Sequence, residues 1–219
     1  MTEERLVSSD VMIDAPPASL PVVLARLGPV MDLEGKLRRS LVDLGMPPAC
    51  GATVLDVPGT DWVERLCEPG GQPTLVRPDA PLRLDVADGS QDAVVALWNG
   101  FRGVDHGDLA ETDRVLRTGG RLLVVHDYGR DDVSALRAPD SPEFTTWSRR
   151  EGPFLHDAGF KIRVVHCFWT FPSLDDARER LASLGDRGEA VAASIRKPRL
   201  SWNVAIYHRT REAGTPAPG

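Results

Sequence analysis

The chain has 219 residues, of which 42% are hydrophobic and 26% are charged, and its formal net charge is −6. These values are typical of one large globular domain, or of a domain with a small extension. A negative net charge argues against a dedicated nucleic-acid-binding protein, because neutralising phosphates requires a concentrated basic surface. No apolar run is long enough to cross a bilayer, and the first residues lack the basic-then-apolar order of a secretory signal.

The cysteine content points to a reducing compartment. Cys50, Cys67 and Cys167 are odd in number and lack the spacing of metal ligands. We therefore expect free thiols, no metal site and a cytoplasmic protein.

The first 48 residues are predicted to form an arm followed by two helices. Residues 1–16 are mostly polar, whereas apolar residues recur at helical intervals between residues 18 and 44. Gly28 and Pro29 are expected to divide this stretch into two helices, and Pro47 and Pro48 end it.

From residue 49 to residue 210 the pattern alternates between strands and helices, which is typical of a doubly wound α/β sheet. The predicted strands are 53–57, 74–77, 92–98, 121–125, 161–171 and 200–208. The predicted helices are 62–67, 108–116, 143–158, 173–184 and 188–195, so that residues 173–198 form a helical insertion before the last strand. Residues 211–219 are predicted to be a disordered tail, because they are rich in glycine and proline.

The stretch around Gly119 and Gly120 predicts a helix, a two-glycine turn and a buried strand. Leu109, Val115 and Leu116 have helical spacing, and Gly119 lies where a helix commonly ends in a left-handed residue. Residues 122–125 then form an unbroken apolar run, as expected for a strand that is covered on both faces.

Three segments resemble class I S-adenosylmethionine-dependent methyltransferases, in particular the small-molecule, methyltransferase type 11-like group. Residues 54–60 (Val-Leu-Asp-Val-Pro-Gly-Thr) are similar to the family's first strand and nucleotide loop. Residues 86–95 (Val-Ala-Asp-Gly-Ser-Gln-Asp-Ala-Val-Val) resemble the run into its fourth strand, and residues 114–124 resemble the turn before its fifth strand. The resemblance covers residues 50–210 and implies a Rossmann-like sheet with an antiparallel last strand and S-adenosylmethionine as cofactor.

The first loop departs from the family pattern. Where the family carries Asp-Xaa-Gly-Xaa-Gly-Xaa-Gly or a close variant, this chain has Asp-Val-Pro-Gly-Thr-Asp at residues 56–61. It is one residue shorter than the closest variant, and Asp61 replaces the last glycine. A carboxylate there would repel the methionine carboxylate of the cofactor. Alternatively, Thr60 or Asp61 caps the helix that is predicted to follow.

The region of strands two and three is also unusual. The family's acidic ribose anchor at the end of strand two is replaced by Arg77, with Asp79 nearby. Too few residues separate Asp56 from Asp92 for two strand-helix units and a third strand. We therefore predict a sheet that is shortened around strands two and three.

Ligands of open α/β sheets bind beyond the carboxyl ends of the strands. By resemblance, the candidate cofactor-binding residues are Asp56, Pro58, Gly59, Thr60, Asp79, Asp85 and Trp98. For the two outlying carboxylates, Asp79 and Asp85, the alternative is a solvated loop position.

The candidate catalytic residues follow the predicted fifth strand. His126 could act as general base, since imidazole titrates near neutrality, and Tyr128 could orient a substrate. The alternative is that His126 merely caps a strand end. Aromatic residues in the 166–171 run, together with Trp98 and Trp147, are interpreted either as the wall of an apolar substrate pocket or as core.

The favoured function is methyl transfer from S-adenosylmethionine to a small-molecule substrate, with no nucleic acid or membrane as partner. The departure of the first loop from the family pattern supports an alternative, a catalytically inactive methyltransferase-like domain that serves as a binding, regulatory or assembly module. A third hypothesis is that the chain binds another nucleotide, with Arg77 receiving a phosphate of that nucleotide. The helical insertion is either a substrate lid or the surface of a homodimer.

Overall fold

The computed structural model describes residues 20–47, 53–55, 74–76, 81–98, 101, 104–137 and 147–213. The helices are α1 (Leu20–Leu27), α2 (Lys36–Asp43), α3 (His106–Val115), α4 (Val133–Arg137), α5 (Leu174–Ala182) and α6 (Asp186–Ser194). The strands are β1 (Thr53–Leu55), β2 (Thr74–Val76), β3 (Gln91–Leu97), β4 (Leu116–Asp127), β5 (Lys161–Thr170) and β6 (Arg199–Thr210). None of the helices within these ranges is both long and apolar enough to span a bilayer.

The six strands form one sheet in the order β2-β1-β3-β4-β6-β5. The first four strands are parallel to one another, and β6 runs antiparallel to both of its neighbours, β4 and β5. The prediction of a Rossmann-like doubly wound sheet with an antiparallel last strand is therefore confirmed.

The sheet is short on the β2 side, as predicted from the spacing. In the described part of the chain β2 is the edge strand there, and residues 81–90 run to β3 without forming a strand. The predicted helix at 62–67 lies outside the described residues, as do the cofactor loop and the tail beyond residue 213.

Two helix starts are fixed by carboxylate side chains that accept the first N–H groups of the helix. Asp105 accepts hydrogen bonds from the N–H groups of Gly107 (2.7 Å) and Asp108 (3.1 Å) at the start of α3. Asp32, which is buried, accepts from the N–H groups of Lys36 and Leu37 at the start of α2.

The N-terminal helices share one core with the sheet. A 3₁₀ turn at Gly28–Val30 separates α1 from α2, as the Gly-Pro pair predicts. The face of the sheet that they cover, called the first face, carries alternate β4 residues such as Leu123 and Val125. It is also covered by α4, α5 and α6.

The opposite face, called the second face, is covered by α3 and by the segment before β5. It carries the other β4 residues, Leu122 and Val124, together with Phe154 and Phe160. Because both faces are covered, the central strands are apolar along most of their length.

The predicted helix at 143–158 is wrong over its second half. Residues 148–152 form turns and a bend, and a single π-helical turn follows at Pro153–Asp157. Gly152 is extended at φ −81° and ψ 163°. Pro153 cannot donate a backbone hydrogen bond to an incoming helix, so the helical periodicity of the apolar residues does not produce a continuous helix.

The helix before the two-glycine turn ends earlier than predicted. Helix α3 ends at Val115, and Leu116 already belongs to β4 with an extended backbone. Arg117 to Gly120 then bulge out of the β3–β4 ladder, since the register steps from Gln91–Leu116 to Ala93–Arg121.

The two glycines serve different purposes. Gly119 has the predicted left-handed backbone, at φ +79°, and its N–H donates to the carbonyl of Arg211 at 2.9 Å. At Gly120 a Cβ would lie 2.8 Å from the Arg117 carbonyl oxygen and 3.2 Å from that of Asp92. The first position needs backbone freedom and the second needs space.

We expect Gly119→Ala and Gly120→Ala each to lower the free energy of unfolding, by about 1–2 kcal/mol for the left-handed position and about 1–3 kcal/mol for the crowded one. Asparagine substitutions distinguish the two explanations, the left-handed backbone at Gly119 and the lack of space at Gly120. Asparagine tolerates the left-handed backbone, so Gly119→Asn should keep most of the stability, whereas Gly120→Asn should not. Urea denaturation of the four variants measures this, and a Gly120→Ala protein as stable as the wild type would contradict the steric explanation.

The irregular segment before β3 is fastened to α3 by Glu111 and Arg114. Buried Glu111 accepts from the Leu84 N–H at 2.7 Å and from Arg114 at 2.8 Å and 3.0 Å. Arg114 also donates to the carbonyl oxygens of Leu84 (2.8 Å) and Val86 (3.1 Å). Hydrogen bonds from Arg114 hold the pKa of Glu111 below its usual value.

A lowered pKa in the folded state means that ionised Glu111 stabilises the fold above its unfolded pKa, and that this stability is lost as pH falls through the folded pKa. We expect Glu111→Gln to lower the unfolding free energy by about 1–3 kcal/mol at pH 7. The variant should also lose less further stability than the wild type on acidification below the ordinary value of 4.5. Urea denaturation across this pH range tests the expectation, with exposed Glu189→Gln as control. If Glu111→Gln and the wild type lose the same unfolding free energy on acidification, the expectation is refuted.

Candidate functional site

The candidate site lies at the carboxyl ends of the parallel strands. From β1 the chain continues to β2 on one side, and β3 lies on the other side, so the strand order reverses at β1. In open α/β sheets such a reversal leaves a crevice beyond the carboxyl ends of the two central strands, here β1 and β3.

The backbone after β3 is strained next to this crevice. Trp98 (φ +51°) and Phe101 (φ +47°) are both left-handed although neither is a glycine. The N–H of Trp98 donates to the Val125 carbonyl at 2.9 Å, which fixes this turn to β4. Strained backbone of this kind clusters at functional sites, where the surrounding structure holds it in place.

Asp127, the last residue of β4, is the polar centre of this region. One carboxylate oxygen accepts from the indole N–H groups of Trp98 (2.9 Å) and Trp202 (3.1 Å). The other forms a salt bridge with Arg137 of α4, whose side chain is only 3% exposed. The carboxylate therefore joins β3, β4, β6 and α4 through charge-assisted hydrogen bonds.

Three tryptophans surround this carboxylate on the first face. Trp98 and Trp202 are stacked with ring centroids 5.5 Å apart and planes 12° apart. Trp169 meets Trp202 edge-on at 5.9 Å. All three are buried, so these aromatic residues form core at the carboxyl edge.

Trp147 does not join them, because it lies on the second face. There its ring centroid is 5.0 Å from that of His126. The predicted wall formed by Trp98, Trp147 and the 166–171 run is thus divided between the two faces of the sheet.

His126 and Asp127 point to opposite faces because side chains alternate along a strand. His126 is buried, with its Nε2 3.1 Å from the Phe101 carbonyl oxygen. Since a carbonyl only accepts, Nε2 carries a proton in this contact. In this arrangement the imidazole positions the strained loop after β3.

Tyr128 is half-buried just beyond β4. Its N–H donates to the Asn203 carbonyl at 2.8 Å, and the Arg130 guanidinium lies 5.8 Å from its ring centroid. The two predicted catalytic residues therefore occupy the same end of the sheet.

The loop after β4 is fastened to the start of β6 by two aspartates that the sequence did not single out. Asp131 accepts from the Asn203 N–H at 2.7 Å and from the Ser134 N–H and hydroxyl at 2.9 Å and 2.8 Å. Asp132 accepts from the Ser201 N–H and hydroxyl, each at 2.7 Å. Burial raises the pKa of Asp131 despite these hydrogen bonds. The short Asp-Asp turn before a helix was a visible signal for such capping.

Asp85, the other candidate site residue within the described ranges, is not brought to this centre. Asp85 is exposed and follows Leu84, which is bonded to Glu111 in the second turn of α3. His166 is exposed and its Nδ1 lies 2.7 Å from Oδ1 of Asn203. Asp56, Pro58, Gly59, Thr60 and Asp79 lie outside the described residues. The described ranges contain no cluster of three or more side chains suited to a metal ion.

Comparison with known proteins returns methyltransferases among solved structures only. No protein-family model and no curated protein matches the chain. A candidate methyltransferase from Bacillus halodurans C-125 is 16% identical, with 74% of this chain and 82% of that chain covered and a TM-score of 0.38. A candidate type II methyltransferase from Anaeromyxobacter dehalogenans is 15% identical, with 80% and 95% covered and a TM-score of 0.43.

A third match is geranyl diphosphate C-methyltransferase from Streptomyces coelicolor A3(2), in complex with Mg²⁺, geranyl diphosphate and S-adenosyl-L-homocysteine. It is 15% identical, with 81% of this chain and 79% of that chain covered and a TM-score of 0.37. All three are described as methyltransferases, the kind of protein that the sequence motifs resemble. At such low identities and TM-scores they say nothing of activity, and the methyltransferase-like fold of this chain follows from its own strand order.

We expect Asp127→Asn to lower the unfolding free energy by about 3–5 kcal/mol, because it removes a counter-charge from the buried Arg137 cation. Replacing both residues, as in Asp127→Asn with Arg137→Met, should cost less than the single change. Urea denaturation at pH 7 measures both, with Asp175→Asn as control, since that carboxylate side chain is 97% exposed. Additive losses in the double variant would contradict the proposed coupling.

Proposed function

We propose that this methyltransferase-like protein binds S-adenosylmethionine in the crevice between β1 and β3 and transfers its methyl group to a small molecule. The observation that carries the proposal is the reversal of strand order at β1, which opens a crevice at the carboxyl edge. The strained turn at Trp98 borders the same crevice and supports it. We also propose a cytoplasmic location, which the odd number of cysteines without metal-ligand spacing predicts.

The side chains of the described residues restrict how a cofactor could bind. The indole of Trp98 is stacked on Trp202 and bonded to Asp127, so one ring face and the indole N–H are already engaged. Most contacts to a cofactor would then fall to Asp56, Pro58, Gly59, Thr60 and Asp79, as the resemblance implies. A bound cofactor would supply an activated methyl group to that crevice.

Residues at the end of β4 and just beyond it would shape the side on which the methyl-accepting substrate binds. Nε2 of His126 donates to the Phe101 carbonyl, so a base function would fall to Nδ1. Such a function would require the methyl-accepting substrate to lie on the Nδ1 side of the ring. Tyr128, two residues further on, would orient the acceptor from the same face of the sheet.

One observation favours a second candidate, a catalytically inactive methyltransferase-like module for binding, regulation or assembly. The described polar groups at the carboxyl edges of β3 and β4 are engaged within the fold: Asp127 by three donors, and His126 by Phe101. The shortened loop with Asp61 in place of a glycine points the same way.

Calorimetric titration with S-adenosylmethionine and S-adenosylhomocysteine distinguishes the two candidates. The first predicts saturable binding, together with about 10-fold or greater weakening in Asp79→Asn, because a hydrogen bond to a charged group contributes about 1.5–3 kcal/mol. Asp175→Asn, on the exposed surface of α5, is the matched control and should bind like the wild type. Failure of the intact protein to bind either compound would end the first proposal and favour the second.

A further inference from the structure

We propose that the outer edge of β5, together with the adjoining side of α2, is a docking groove for an extended acidic segment of a partner protein. The groove is defined by Lys36, Arg38, Arg39, Ser40, Val42, Asp43, Arg163, Val164, Val165 and His166. It borders a cavity of about 470 Å³. The groove is distinct from the crevice between β1 and β3, so the inference does not rest on cofactor binding.

Strand β5 lies at the end of the sheet, and β6 is its only neighbouring strand in the described structure. One end of its outer edge already pairs with backbone of the segment before α2. Met31 forms an isolated antiparallel bridge with Trp169, and the Asp32 N–H donates to the Phe168 carbonyl at 2.8 Å. The edge therefore accepts extended backbone at this end.

The backbone groups available further along this edge follow from the alternation of the strand. The carbonyls of Phe168 and His166 both point outward, since they accept from Asp32 and from the Lys36 ammonium (3.2 Å). Backbone groups of every second residue in an edge strand face away from the sheet. Val164 and Ile162 consequently present their N–H and C=O groups outward, and Val164 borders the groove. A partner strand could pair with them by β-augmentation.

The side chains around the groove favour a partner strand that carries negative charge. Lys36, Arg39, Ser40 and Asp43 recur at helical spacing along the side of α2 that faces β5. On β5, Arg163 lies 3.6 Å from Asp43, the one carboxylate among the groove residues. Five of the ten groove residues are basic or histidine, so acidic side chains on an incoming strand would be attracted.

The same charges oppose pairing with a second copy of the chain through β5. Two antiparallel β5 strands would bring together two sets of Lys161, Arg163 and His166. Like charges facing each other across strands are destabilising, and charged edges commonly prevent self-association. The fitting occupant is therefore a different, acidic segment.

The probe for the test is a short fluorescein-labelled peptide of alternating glutamate and threonine, followed by fluorescence anisotropy with the full chain. Two control peptides are matched in length: one is N-methylated at alternate residues and cannot pair as a strand, and the other carries lysine in place of glutamate. We expect saturable binding of the acidic peptide only, with affinity that falls as salt rises.

Two variants test strand pairing and charge attraction separately. Val164→Pro removes one outward N–H at an edge position where proline is tolerated. The double change Arg39→Glu with Arg163→Glu reverses the charge of the groove. Each should weaken peptide binding about 10-fold or more. Arg178→Glu on α5 is the control and should change nothing; circular dichroism confirms folding of each variant.

Three outcomes would overturn the proposal. Equal binding of the acidic and N-methylated peptides would reduce the effect to diffuse charge attraction. Wild-type affinity in Val164→Pro, if the variant folds, would contradict strand pairing at β5, and wild-type affinity in the charge-reversed protein would contradict selection by charge. Dimerisation in analytical ultracentrifugation that Val164→Pro abolishes would identify a second copy as the occupant instead.

Discussion

The carboxyl edge of this fold depends on the carboxylate of Asp127, whose side chain is 24% exposed. Hydrogen bonds to a charged group are stronger than those between neutral groups, and the buried Arg137 cation requires a counter-charge. Two indole N–H groups and one guanidinium bond to this carboxylate, and they come from the end of β3, from β6 and from α4. The position of each element is thereby fixed relative to the others.

This constraint connects the strained turn after β3 to the rest of the sheet. Trp98 can reach Asp127 and stack on Trp202 while its backbone is left-handed, and Phe101 is held by His126 on the opposite face. The β3 turn is therefore fastened from both sides of the sheet. A ligand in the neighbouring crevice would meet a rim that is already organised, which reduces the entropy lost on binding.

The fold was predictable where a local pattern determines the structure. The apolar run at 122–125 indicates a strand covered on both faces, and Gly28-Pro29 indicates a break between helices; both predictions are confirmed. The end of α3 and the π-helical turn before β5 were not predictable in this way. The end of α3 depends on the pairing of Leu116 with Gln91 of β3, and the π-helical turn depends on one proline within a helical periodicity.

The candidate site was predictable only in part. The rule that ligands gather at carboxyl ends correctly brings Trp98, His126 and Tyr128 to one end of the sheet. Strand alternation, which is visible in the sequence, further implies that His126 and Asp127 face opposite sides. The partners Trp202 and Arg137 could not be inferred, because Trp202 is separated from Asp127 by 75 residues and meets it only after β6 enters the sheet.

The central position of β6 has a consequence for how the chain folds. This strand is synthesised after every other described strand, yet it lies between β4 and β5 and pairs with both along most of their length. Until it is available, β4 and β5 each lack a neighbour, and the apolar side chains that β6 contributes to both faces are missing. Sheet closure is therefore a late, long-range step, which slows folding and leaves two open strand edges during synthesis.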